Sequence, residues 1–187
     1  EIEKLWLNNT MSSENKYFHI RLNSLHPSKP IPFDIFIQLG SRYVHYLKAG
    51  HSITEEKLNS FELKAPDSFF INEADKQAYK DYVQGRLNSD ELNSREKALI
   101  LRESSLALVE QLYEHPDLAF ALSEAREVVT NFVSLMDEDP ESLAHLIGLS
   151  THDFYTYNHS LDVCIYSLGL GQAVGYSGDE LKELGEG

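Results

Sequence analysis

Residues 150–187 read STHDFYTYNHSLDVCIYSLGLGQAVGYSGDELKELGEG, and this stretch decides what kind of helical protein the chain is. Tyr155 to Val174 has helical periodicity, with Ile165 or Tyr166, Leu170 and Val174 continuing the apolar face begun near His159. Ser177 followed by Glu180 fits a capping box and predicts one more helix. Asp153, just before the first of these helices, is a good N-cap residue, which accounts for the His152-Asp153 pair without any catalysis. His159 is different. An imidazole projecting from a buried helix is either satisfied by a hydrogen bond or bound to a metal, and on pattern alone the satisfied histidine is the stronger reading.

Upstream the chain changes character. From Tyr17 to Ile71 the period is mostly two. In YFHIRL, Phe18, Ile20 and Leu22 share a face; in IPFDIFIQL, Ile31, Phe33, Ile35, Ile37 and Leu39 do. Gly40-Ser41 before YVHYLKAG predicts a hairpin turn. Ser52 with Glu55 predicts a capped short helix over TEEKLNSF, and APDSFFI a further strand. The order is β-β-β-α-β. From Asn72 the period becomes 3.6. Asn72 is expected to cap a helix stopped by Gly85, and Ser94 to cap a long one running to the break at HPD. Leu118–Met136 follows, then a helix capped by Asp139 with Pro140 in its first turn. Gly85–Ser94 is the weakest composition and the expected loop or hinge. The organisation predicted is residues 1–16 as an expression remnant or disordered end, 17–85 as an α+β module, 86–150 as a helical connector, and 151–187 as the start of a further helical region.

The 187 residues carry 30 acidic against 16 basic side chains, a formal charge of −14. That field disfavours nucleic acid and anionic membrane surfaces. No apolar run approaches the ~20 residues of a membrane-spanning helix. A single cysteine, Cys164, excludes a disulfide framework and fits a reducing compartment, so a cytoplasmic location is expected. Of the eight histidines, His19, His26, His45, His51, His115 and His145 read as ordinary strand, turn or helix-end residues. None of the eight has the H-E-x-x-H spacing of a zinc site.

Asp153, Tyr155, Thr156, His159, Ser160, Val163 and Ser167 reproduce a D-x-Y-T-x-x-H-S-x-x-V pattern followed by a serine. Gly175 and SGDELKELGEG come next. This arrangement resembles the opening of an HD-GYP domain. The segments FDIFIQLGSRYVHYLKAGHSITEEKLNSF and SFFINEADKQAYKDYV are similar to the small α+β module often found ahead of such domains. The fold class implied is α+β: a small N-terminal sheet-plus-helix module of regulatory type, followed by an all-α HD-type helical region that is incomplete.

Carried over, the resemblance makes His159 the family's first metal-ligand histidine and assigns no other ligand in this chain. The family's His-Asp pair lies beyond the last helix, so His152-Asp153 does not correspond to it. Tyr155 stands where some members carry a glutamate for a third metal, which argues against a third metal here. The resemblance further implies two divalent metals, iron or manganese, and a cyclic dinucleotide substrate, chiefly cyclic di-GMP. Such a metal pair activates water and holds the phosphate. A homodimer or a signalling protein is the expected partner. As one ligand does not make a site, these 187 residues alone are expected to have no phosphodiesterase activity. The competing expectations are a non-catalytic sensor or adaptor, as in the related HDOD class, and a general nucleotide phosphohydrolase, against which the front module argues.

Overall fold

The computed structural model describes residues 17–27, 29–64, 69–114, 118–150 and 156–187. Four strands, β1 (Tyr17–Ile20), β2 (Ile35–Leu39), β3 (Arg42–Leu47) and β4 (Phe69–Asn72), form one antiparallel sheet of order β1-β4-β2-β3. Alternation sends Phe18, Ile20, Ile35, Phe69 and Ile71 to the inner face, where all are buried. Ile31 and Phe33 are buried on the same side but precede the strand. Pro30 and Pro32 remove the N–H groups a longer ladder would need. The predicted hairpin forms, with Leu39 opposite Arg42 and Gly40 in the left-handed region at φ 61°. Leu39 does not join the core as expected; it sits at the exposed hairpin tip.

Helix α1 (Glu55–Lys64) follows β3, and the chain returns through β4. Its N-terminus is capped two residues later than Ser52, because Thr54 Oγ1 accepts the Lys57 N–H at 3.4 Å. A short 3₁₀ turn (Glu73–Asp75) leads into α2 (Lys76–Leu87). Asn72 makes no side-chain cap there, and α2 runs through Gly85 because Val83 and Leu87 are both buried. Burial of that face outweighs the roughly 1 kcal/mol that an interior glycine costs.

Helix α3 (Ser94–Glu114) is the axis of the molecule. Its cap is Asn93, not Ser94: Glu96 N donates to Asn93 Oδ1 (3.0 Å) and Asn93 N to Glu96 Oε2 (2.9 Å), a reciprocal capping box. Around α3 pack α4 (Leu118–Glu138), α5 (Ser142–Gly148) and α6 (Thr156–Ala173), while α7 (Asp179–Glu186) packs on α4 and α6. Helix α5 starts later than the predicted Asp139-Pro140 beginning: Asp139 Oδ1 accepts the Glu141 N–H at 3.1 Å in the turn before it, and Glu141, at the N-cap position, makes no side-chain cap. The Ser177 box does not form; Glu180 N reaches the Ser177 carbonyl instead, at 3.2 Å. Gly185 lets α7 approach closely, since a Cβ there would lie 2.7 Å from Val129 Cγ1. The expected HPD break and the Asp153 cap lie outside the described residues. Among the described residues no helix is long and apolar enough to cross a membrane.

One apolar core runs from the inner sheet face through α2 and α3 into α4, α6 and α7. Tyr79 closes it beneath the sheet, with its ring 5.9 Å from Phe18 and 5.8 Å from Phe33 and its hydroxyl donating to Ser24 Oγ at 2.8 Å. Phe69, fully buried at the centre of the sheet, meets Phe61 edge-on at 5.1 Å. Phe69→Ala is expected to cost about 3–5 kcal/mol in urea unfolding, and a loss under about 1 kcal/mol would contradict this core.

Candidate functional site

His159 lies in the first turns of α6, and the structure turns it outward. The buried face of α6 is Asn158, Leu161, Asp162, Ile165 and Leu168. The face that continues from His159 through Val163, Tyr166, Leu170 and Val174 is exposed, with Leu170 at 67% and Val174 at 66%. This corrects the expectation that His159 projects from the buried side. Its helix has two apolar faces, and the imidazole stands on the one with no described element over it. His152, Asp153 and Tyr155 lie outside the described residues, as does His115.

Asp162, one turn after His159, is committed elsewhere. Arg102 on α3 donates to its Oδ1 at 3.0 Å, and both side chains are buried. This pair fixes the rotation of α6 on α3 and so decides which face of α6 turns outward. Ser160 donates to the Thr156 carbonyl at 3.0 Å and lies 2.7 Å from the Tyr113 hydroxyl. Beside it an apolar recess of about 290 Å³ is lined by Val109, Leu112, Val128, Val129, Leu161 and Cys164. Burial pushes the Cys164 thiol up to about 11, so it is a protonated wall of that recess.

A second polar cluster joins the sheet to the helices. Glu110 Oε2 on α3 accepts from Arg21 Nη2 at 3.0 Å and lies 2.8 Å from His19 Nδ1. Arg21 also donates to the Tyr157 hydroxyl on α6 at 3.4 Å, with its guanidinium 5.7 Å from that ring's centre. The residue that follows β1, Arg21, therefore reaches the turn of α6 that carries His159. Burial works against the Glu110 carboxylate, but the hydrogen bond and charge of His19, and then Arg21, outweigh it and hold the group below its ordinary value. On the other side of α3, Lys80 bridges Glu124 (2.9 Å) and Glu127 (2.7 Å) of α4, and Lys76 lies 3.1 Å from Glu124. Burial opposes the Lys80 charge, yet its bonds to Glu127 and Glu124 raise its pKa.

Sequence reasoning did not find these clusters. Their signal was the charge of Arg102 and Glu110 within the apolar stripe of α3, where an unpaired charge would not be tolerated. His19 reads as an ordinary strand residue, and only the tertiary fold shows that Glu110 of α3 lies against it and Arg21.

Among the described residues no three histidine, cysteine, aspartate or glutamate side chains converge on one point where an ion would bind. His159 is an exposed imidazole, and Asp162, one turn on, is taken by Arg102. The described residues therefore do not complete a metal centre.

No protein-family model matches the chain, and no curated protein sequence matches it. Among solved structures, Bd1817, described as an HDG"Y"P protein from Bdellovibrio bacteriovorus, superposes on 91% of this chain with a TM-score of 0.67 at 19% identity. The chain spans 58% of the length of that protein. The fold is thus HD-GYP-like, an α+β module followed by a helical region.

Two measurements test this geometry. Asp162→Leu, which leaves the buried Arg102 with Glu103 at 3.5 Å as its remaining counter-charge, is expected to cost up to about 3–5 kcal/mol, and adding Arg102→Met to recover most of it; equal loss in the double variant would contradict a buried pair. For Glu110, the depressed folded pKa means that its contribution is present above the ordinary value of 4.5 and is lost as pH falls through the folded value. The stability gap between the protein and Glu110→Gln should therefore be largest near neutral pH and shrink in acid. A gap that does not change with pH would refute the pairing.

Proposed function

We propose that the chain is the regulatory portion and first metal-ligand helix of a metal-dependent HD-GYP-type phosphohydrolase, of the class that hydrolyses cyclic di-GMP. In this reading residues 17–85 are the regulatory module, 86–150 the connector and 151–187 the opening of the catalytic domain. His159 is the first ligand of a two-metal centre of iron or manganese. One histidine does not make a two-metal centre, so this reading requires further ligands from the rest of an HD-GYP domain. The working location is the cytoplasm.

The observation that carries the reading is the placement of His159. It is exposed at the head of an apolar stripe made by Val163, Tyr166, Leu170 and Val174. A ligand to be shared with further helices has to face the side those helices pack on, and the apolar residues behind it supply the packing surface. A histidine kept only for the core of these 187 residues would instead lie with Leu161, Ile165 and Leu168. The likeness of fold to Bd1817 supports the same reading. The Arg21–Tyr157 contact supplies a route by which the sheet module acts on this helix.

The test is His159→Ala in the full-length natural protein, with iron and manganese measured on the purified sample alongside cyclic di-GMP hydrolysis. Loss of a ligand should lower the rate by more than the about 10–100-fold that follows loss of an outer-shell partner, and metal content should fall with it. Unchanged metal content removes His159 as a ligand and leaves the non-catalytic adaptor as the function.

A further inference from the structure

The hairpin β2–β3 leaves the body of the protein with its end uncovered. Every residue from Gln38 to His45 is exposed, including Leu39 at 62% and Val44 at 46%. Strand β3 is the edge of the sheet, so one side of its backbone has no partner strand among the described residues. Protein edges are usually blunted by lysine, proline or an inward charge. This one carries Tyr43, Val44, His45 and Tyr46 in a row, with Arg42 at its start.

The outer face of the sheet extends the same surface. Tyr17 stacks on Tyr43 at 3.9 Å, Tyr43 meets Phe70 edge-on at 5.0 Å, and Phe36 meets His45 at 5.3 Å. An antiparallel sheet with one wet face ordinarily turns polar residues to it. Here the strands present aromatic rings that are packed on one another, and so are held in place.

Charge points to the occupant. Between Tyr17 and Asn72 the chain has six Lys or Arg and five Asp or Glu, whereas residues 73–187 have eight against 22. The whole net charge of −14 therefore resides in the helical part. Two copies meeting through their helices would repel strongly, and a basic partner would be drawn to the helices. The sheet is the near-neutral surface on which two copies approach without that cost.

We propose that β3 pairs with β3 of a second copy of this chain, antiparallel about a two-fold axis at Val44, to make one eight-stranded sheet. In that register Tyr43 of each copy lies opposite His45 of the other on the aromatic face, and the two Val44 side chains meet on the opposite face. Arg42 lies across from Tyr46, so the like charges are not opposed and each guanidinium meets a ring. The strand is thus self-complementary, as an isologous two-fold interface requires.

The test is the solution mass of the 187-residue chain by light scattering and sedimentation. The expected result is twice the 21.3 kDa of one chain. Val44→Lys, which sets two ammonium groups against each other at the axis, should return it to one chain. Leu170→Lys, on the exposed stripe of α6, should leave it doubled. Val44→Cys in a Cys164→Ser background gives a positive readout, because paired strands hold opposite Cβ atoms about 4.5–5.5 Å apart and oxidation then crosslinks the copies. A single-chain mass for the unaltered protein, a doubled mass that survives Val44→Lys, dissociation by Leu170→Lys, or no crosslink through position 44 would each overturn the proposal.

Discussion

Arg102 and Glu110 place two charges on surfaces of α3 that other elements cover, and each must be met by a particular partner. Arg102 is met by Asp162 on α6, at 3.0 Å. Glu110 is met by His19 on β1 and by Arg21 just after it, at 2.8 and 3.0 Å. Apolar packing around α3 tolerates small rotations and slides, because one leucine replaces another at little cost. A buried guanidinium does not, since leaving it unpaired costs several kcal/mol. These two pairs therefore set the rotation of α6 and the position of the sheet relative to the same helix. Everything that concerns His159 depends on the first of them.

The strands were legible because the period-two pattern is unbroken and the turn chemistry is specific. Phe18, Ile20, Ile35, Phe69 and Ile71 alternate with polar or aromatic neighbours, and Gly40-Ser41 leaves little choice of loop. Helix ends were less so. Ser52, Asn72 and Ser94 are each good caps by type, yet Thr54 and Asn93 act at two of these ends. A cap is decided by which N–H groups the first turn leaves free, and that depends on where the apolar face begins to pack. Gly85 shows the same point from the other side. Its intrinsic preference is to end a helix, but burial of Val83 and Leu87 carries α2 past it.

The orientation of His159 was the hardest matter to read, for a reason visible in α6 itself. Leu161, Ile165 and Leu168 form one apolar stripe; Val163, Tyr166, Leu170 and Val174 form another. A helix that is apolar on opposite sides carries no information in its period about which side faces the core. Asp162 does carry it. An acidic residue beside Leu161 and Ile165 in the sequence looks like a mark of the wet face, and here it marks the buried one, because Arg102 waits on α3.

Two apolar surfaces that stand uncovered among the described residues differ in what they ask of a partner. On α6 every backbone group in the middle of the helix is already bonded within the helix, so the Val163–Val174 stripe is completed by side-chain packing alone. Another helix laid along it does that, and His159 at its head then shares a site with residues of that helix. On β3 the backbone has no partner strand along one side among the described residues, and side chains alone do not satisfy it; another strand does. The −14 net charge falls within residues 73–187, the part of the chain that includes α6. Packing at α6 therefore gains from a partner segment that brings cations, whether metal ions or basic side chains, while pairing at β3 needs none. A fold that keeps these two demands on separate parts of the chain lets the sheet associate without blocking the helix that bears His159, and the Arg21–Tyr157 contact is then the physical link between them.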